Sequence, residues 1–450
     1  MRFLPVLLFL LAACVHAPRW ERGERAHVYL VVVDGLGARF ATPDRLPVLS
    51  AAVASEPERS SVLTARAVMP ARTNPNHVTL VTGVYAEAHG IVGNAFWDRT
   101  PGTAPEKLES ADRIEVETLF TVAETTDPRL VTLAAFGKPK LARLFAGVPG
   151  RQRAPDVLWS SEALPPARRD PATGYASDAE TMAAALDAMA AAEPDLAFLN
   201  LADVDTAGHA HGPDSPEYTA AIMNADAAIG RLVKALRARG RWRRTVLIVT
   251  ADHGMSAVGP PVSLGAALGA AGVRGVTVVA DGGVDHVYVD ALDRRATGID
   301  GDARLLRRVA SVARRVPGVS DFLGRLPCVR CRDVALIDAV HPDWHVDHER
   351  TGELLVVAAA GQQFADPTAA GDAGLLGNHG GPQDRDVPLI VTGGWPGLRA
   401  AAAGTPSPDL VDVAPTIEAL LGLRAPRRVD GSAVPERDAG HPLAITTRTD

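Results

Sequence analysis

Six short apolar runs punctuate the chain. The first, His27–Val33, stops at Asp34-Gly35, and the same texture returns at Leu130–Phe136, Leu196–Leu201, Thr245–Thr250, Leu354–Ala358 and Val387–Thr392. Runs this short, rich in β-branched residues and bounded by Gly or Asp, predict strands buried on both faces of a parallel sheet. Ala-rich stretches lie between them, notably Ser177–Ala192 and Tyr218–Arg239. Strands alternating with helices predict an α/β fold with a mostly parallel central sheet. In such sheets ligands gather beyond the carboxyl ends of the strands, so the turns after these runs are the place to look for chemistry.

The texture changes between residues 257 and 350. Val276–Ala280 and His286–Asp290 read as short strands around Asp281-Gly282-Gly283, and Ala303–Val316 reads as a basic helix. This pattern predicts a small inserted α+β cap at 257–350. It divides a core into 25–256 and 351–430, with the sheet resuming near Gly352 and a polar, loosely held tail at 431–450. At the other end, Met1-Arg2 precedes an apolar run from Phe3 to Ala13, too short to span a bilayer and shaped like a signal peptide over 1–17. Leu11-Ala12-Ala13-Cys14 resembles a bacterial lipobox, with Cys14 as the lipidated residue; ordinary cleavage after Ala17 is the alternative. Both readings export the protein to the periplasm or cell envelope. Any contact with a membrane would run through the anchor at Cys14, because no later run reaches the length of a span.

Composition narrows the class. Apolar residues at 47% and charged residues at 22% exclude a disordered chain. Lys+Arg 46 against Asp+Glu 53, a net charge of −7, argues against a nucleic-acid duplex as partner. Only four of the basic residues are lysines, and two of them, Lys138 and Lys140, share one tripeptide. With Cys14 lipidated, Cys328 and Cys331 remain as a lone Cys-x-x-Cys, which in an oxidising compartment reads as a local disulfide. A structural zinc site would need two further ligands, and a redox motif would need a thioredoxin-like context.

Four segments carry residues of metal-ligand type: Asp34, Asp205 with His209, Asp252 with His253, and His379 in Gly377-Asn378-His379-Gly380-Gly381. Mixed carboxylate and imidazole ligands suit zinc, and three per ion leave a position for substrate. Six ligands therefore suit two zinc ions, which together grip the attacking and leaving oxygens of a phosphoryl transfer. Asp203 competes with Asp205, but the Asp-x-x-Gly-His spacing favours the latter. Thr73, in Pro70-Ala71-Arg72-Thr73-Asn74-Pro75-Asn76-His77, is the candidate nucleophile. Pro75 suits the first turn of a helix, which would set Thr73 where free amides favour an anion. A plain capping threonine is the alternative.

Thr73-Asn74-Pro75-Asn76-His77, Val81-Thr82-Gly83, His89-Gly90-Ile91-Val92-Gly93-Asn94 and Phe96-Trp97-Asp98 together resemble the nucleotide pyrophosphatase/phosphodiesterase branch of the alkaline phosphatase superfamily. Asp205-x-x-Gly208-His209, Asp252-His253-Gly254-Met255 and His379-Gly380 follow in the order of that family. The resemblance covers roughly residues 26–256 and 352–430. It implies an alkaline-phosphatase-like three-layer sandwich. It also implies one zinc held by Asp205, His209 and His379, and another by Asp34, Asp252 and His253 with Thr73 alongside. Thr73 would carry a phospho-threonine intermediate, and Asn94 would donate to a non-bridging phosphoryl oxygen. His211, in a family-like His-Gly-Pro turn, would sit at the pocket edge as a substrate contact.

The resemblance implies a type I phosphodiesterase or nucleotide pyrophosphatase, acting on a small phosphate ester. Lys138 and Lys140 keep two alternatives open. Superfamily members that take monoesters or phosphonoacetate carry a Lys-x-Arg or Lys-x-Lys pair after the strand that follows the nucleophile segment, to bind extra negative charge. A solvated turn is the plain reading of the pair. A sulfatase is excluded, since its nucleophile is a converted Cys or Ser. A non-catalytic surface lipoprotein is the remote alternative, set against a complete ligand set. His341, His345 and His348 read as a cap-edge loop or, less simply, as an accessory metal site.

Overall fold

The computed structural model describes residues 25–100, 102–290, 303–325, 334–365 and 374–446. Cys14, Cys328 and Cys331 lie outside these residues, as does the 1–17 segment. Among the described residues, no helix is long and apolar enough to cross a membrane.

Seven strands form the central sheet: β1 (His27–Val33), β2 (Ser61–Arg66), β3 (Thr132–Phe136), β4 (Val157–Ser160), β5 (Leu196–Leu201), β6 (Thr245–Thr250) and a last strand, Asp386–Thr392. Five further strands, β7 (Val276–Asp281), β8 (Val284–Val289), β9 (Val319–Gly324), β10 (Ala335–Leu336) and β11 (Leu354–Ala358), build a second sheet, so the strand at Asp386–Thr392 is β12. The central order is β2-β12-β6-β1-β5-β3-β4. β12 runs antiparallel to both its neighbours, while the strands from β6 to β4 pair in parallel. β1, β5 and β6 are buried at every position, which requires cover on both faces. That cover is helical. Asp178–Ala191 (α3) packs with Pro216–Ala238 (α5), and Thr73–Thr82 (α1) packs with a helix at Val413–Leu421.

Two expectations need correction. Leu354–Ala358 is a strand, but it lies at the centre of the second sheet, between β8 and β9. The inserted, mostly antiparallel unit therefore runs past residue 350. Its two faces are covered by separate apolar clusters, one holding Leu354 and Val356, the other Leu355 and Val357. A continuous apolar run reports burial on both faces, not which sheet buries it. The tail is also better held than its polarity implied. Asp438 and Ile445 are buried, and Ala439 and Thr446 form bridges to Val84 and Leu398.

The parallel neighbours β6, β1, β5 and β3 end at one edge of the sheet. Asp252, Asp34, Asp203–His211 (α4) and Lys138, just ahead of Pro139–Leu144 (α2), follow them there. Four adjacent strand ends thus carry the candidate chemistry.

Candidate functional site

Thr73 is the first residue of α1, with Arg72 at the cap position and Pro75 inside the first turn. Pro75 lacks an amide that the first turn would leave unpaired anyway. Two groups of three ligand-type atoms gather here, each group within 4.8 Å: Asp34, Asp252 and His253, and Asp205, His209 and His379. Gly35 brings them together. Its φ of 78° turns the chain after Asp34, and a Cβ there would lie 2.9 Å from Asp205 Cα. The imidazoles of His253 and His379, one from each group, stack at 3.4 Å.

The hydrogen bonds behind the histidines fix their tautomers. His209 Nδ1 donates to the Gly377 carbonyl, His253 Nδ1 to that of Gly254 and His379 Nδ1 to that of Ala71, each at 2.9 Å. In each neutral ring the lone pair is then on Nε2, turned inward. His209 Nε2 lies 3.3 Å from Asp205 Oδ1, and His253 Nε2 lies 3.3 Å from Asp252 Oδ2. Both oxygens are buried and accept no hydrogen bond. Lone pair facing lone pair is repulsive unless a cation is shared between them. A tetrahedral zinc site, with ligands at about 2.1 Å, has edges of about 3.4 Å. The donor sets fit a divalent cation in each group.

Burial holds His253 below its usual range, and burial together with the neighbouring His253 holds His379 well below it, so both rings stay neutral. Burial raises Asp34, reinforced by Asp252. Burial also opposes ionisation of Asp205, but the neighbouring Lys138 ammonium foremost holds that carboxylate well below its usual range. The solvated-turn reading of Lys138 is wrong. Its ammonium is buried and bridges the groups, 2.8 Å from Asp34 Oδ1 and 2.6 Å from Asp205 Oδ2. Lys140 lines the same cavity as Lys138, with no ion pair or hydrogen bond among the described residues.

Thr73 Oγ1 lies 3.4 Å from His253 Nε2. Thr73, Asn94, Lys138, Lys140, Asp205, His209 and His379 all line one cavity of 590 Å³. Asn94 Oδ1 accepts from the Asn74 amide at 3.1 Å, which leaves its Nδ2 as a free donor. His211 is not part of this wall; it is exposed at the end of α4. Two residues apart on a helix, His209 and His211 face about 200° away from each other, so only one reaches the cavity. Asp203 does not compete with Asp205. It accepts from the Asp178 amide at 3.0 Å, joining the starts of α3 and α4. His345 and His348 contact Glu87 and Glu115, each at 3.3 Å, while His341 stacks on Trp344.

Sequence reasoning missed Asn200. Its Nδ2 donates to Asp34 Oδ2 at 2.8 Å and lies 3.1 Å from His77 Nε2, whose Nδ1 in turn donates to the Thr73 carbonyl at 2.9 Å. The signal was present: one amide inside the otherwise apolar run Leu196–Leu201. Arg72 and Tyr175, which also line the cavity, had no comparable signature.

Residues 28–382 match the type I phosphodiesterase/nucleotide pyrophosphatase family. The chain belongs to that family. Human ectonucleotide pyrophosphatase/phosphodiesterase family member 5 is 32% identical over 186 residues, 41% of this chain and 36% of its own. Human member 7 is 27% identical over 256 residues, 56% of this chain and 53% of its own. The chain spans about a third to a half of the length of these relatives. Among solved structures, an inactive variant of murine member 5 in complex with AMP superposes with a TM-score of 0.66 at 21% identity, covering 89% of this chain and 96% of that one. Phosphonoacetate hydrolase from Sinorhizobium meliloti 1021, in complex with phosphonoformate, gives 0.61 at 20% identity with the same coverage. These likenesses establish the alkaline-phosphatase-like α/β fold for this phosphodiesterase-family chain.

Proposed function

We propose that this protein hydrolyses phosphoric esters of the diester or pyrophosphate type, nucleotides among them, at a dizinc centre with Thr73 as nucleophile. The observation that carries the proposal is the pair of three-ligand groups, one reaching the Thr73 hydroxyl through His253 and the other lining the same cavity as Thr73. Asp34, Asp252 and His253 would hold one ion, and Asp205, His209 and His379 the other. When bound, such ions supply positive charge that lowers the pKa of an oxygen ligand and neutralises a developing anion. The remaining roles fall to the chain. Thr73 Oγ attacks phosphorus and the ester oxygen departs, leaving a phospho-threonine; water then breaks the Oγ–P bond and restores the hydroxyl. Asn94 Nδ2 donates to a non-bridging oxygen, where one such donor is worth about 10²–10³ in rate. His77, through its bond to the Thr73 carbonyl, keeps the first turn of α1 in place. Export and a lipid anchor at Cys14 belong to the same proposal and rest on the 1–17 sequence.

A second reading is favoured by Lys140. An ammonium with no partner among the described residues, half-buried in the cavity, suits a further anionic group on the substrate, as in a phosphomonoester or a phosphonate bearing a carboxylate. Full-length, zinc-loaded protein assayed on bis(p-nitrophenyl) phosphate, p-nitrophenyl phosphate and phosphonoacetate separates the two. The diester should turn over fastest, with Thr73→Ala reducing every activity to background. Undiminished turnover in Thr73→Ala would remove the covalent mechanism. A monoester or phosphonate preference that collapses in Lys140→Ala would move the substrate class to the second reading.

A further inference from the structure

The inserted unit reaches the site at the turn between β7 and β8, where Asp281 brings a carboxylate to the cavity. Asp281 closes β7, and Gly282-Gly283 turns the chain into β8. This turn is wedged against the loop that carries His379. The Gly283 amide donates to the His379 carbonyl at 3.0 Å, and Gly282, at φ 71°, has room for no side chain between that carbonyl and the Arg72 guanidinium.

Asp281 is 3% exposed, and each of its oxygens has a partner beside Thr73. Oδ1 lies 2.8 Å from Arg72 Nε. Oδ2 accepts from the Asn94 amide at 3.0 Å. Arg72 directly precedes Thr73, and its Nη1 also donates to Asn378 Oδ1 and to the His379 carbonyl, at 3.2 and 3.1 Å. Asn94 lines the cavity, and its Nδ2 has no partner among the described residues. One buried carboxylate therefore fixes the residue before the nucleophile and the donor opposite it. The fit is tight, since a Cβ on Gly93 would lie 2.6 Å from Asp281 Oδ2.

We infer that Asp281 is a positioning residue, which holds Asn94 and Arg72 around Thr73 and makes the inserted unit a working part of the hydrolytic site. The inference rests on the function proposed above. A buried carboxylate is stable here because a guanidinium pairs with it and an amide donates to it; in exchange it removes the freedom of both. Displacing a catalytic group by about 1 Å costs about a hundredfold in rate.

The test is a double-variant cycle on the full-length, zinc-loaded protein with its best substrate. Asp281→Asn keeps the volume and one acceptor but loses the charge. It should lower kcat by about tenfold to a hundredfold with KM changed less than about threefold. In an Asn94→Ala background the same substitution should cost clearly less than it does in the wild type, because only the Arg72 contact is then left to lose. Losses that multiply in the double variant, or unchanged kcat in Asp281→Asn, overturn the inference. If Asp281→Asn does not fold, Gly93→Ala carries the test, since its methyl displaces the carboxylate without removing it; unchanged kcat there is equally decisive against it. Wild-type protein inactive on all three substrates removes the proposed function and this inference together. An active wild type with an unaffected Asp281→Asn removes the inference alone.

Discussion

Asn200→Leu is the substitution whose effect follows most directly from the geometry. Leucine matches asparagine in branching and heavy-atom count and removes the Nδ2 group that donates to Asp34 Oδ2 at 2.8 Å and faces His77 Nε2 at 3.1 Å. A hydrogen bond to a buried carboxylate contributes about 1.5–3 kcal/mol. At about 1.4 kcal/mol per factor of ten, that is about 10–150-fold in a binding constant. The usual loss on removing an outer partner of a metal ligand, about 10–100-fold, falls in the same range. The effect should be confined to one site, because Asn200 hydrogen-bonds only Asp34 among the six candidate ligands. Calorimetric titration of zinc into chelator-stripped protein reads this out. Wild type should bind two equivalents. In Asn200→Leu one should weaken about 10–100-fold while the other shifts less than about threefold. Equal weakening of both, or of neither, would refute the assignment of Asp34 to a separate group.

Two other outcomes follow from the cavity and the turn. Burial and the nearby Lys138 push Lys140 down to about 8, so its ammonium is mostly charged one pH unit below that value and mostly neutral one unit above. KM for a substrate bearing a second anionic group should therefore rise as pH increases through about 8, and Lys140→Met should flatten the profile; a profile unchanged by Lys140→Met contradicts the role. Gly282→Ala would force a methyl group against the His379 carbonyl at a positive φ. It should destabilise the fold by at least about 1–2 kcal/mol, visible as a lower denaturation midpoint. A wild-type midpoint would mean the turn is looser than drawn.

The legible parts of the molecule were those where one physical cause dominates. β1, β5 and β6 are buried on both faces, so their apolar runs gave both location and direction, and the acids at their ends followed. β2 was not legible because it is an edge strand of alternating exposure, with Val62 open to solvent. β11 was legible as a strand but not as a member of the second sheet, since its pairing partners come from distant segments. Asp34, Asp205, His209, Asp252, His253 and His379 could be named because spacing and residue type carry their chemistry. Asn200 and Asp281 could not, because each acts through residues far away in sequence: Asn200 through Asp34, 166 positions earlier, and Asp281 through Asn94, 187 positions earlier. His211 was misplaced because a helix turns two neighbouring imidazoles apart.

The central claim is that two divalent cations sit on either side of the Thr73 hydroxyl. Anomalous diffraction from crystals of zinc-loaded protein, measured above and below the zinc edge, tests it directly. The account predicts two peaks about 4 Å apart, one among Asp34, Asp252 and His253 and one among Asp205, His209 and His379. A single peak, or zinc bound away from these side chains, would contradict it.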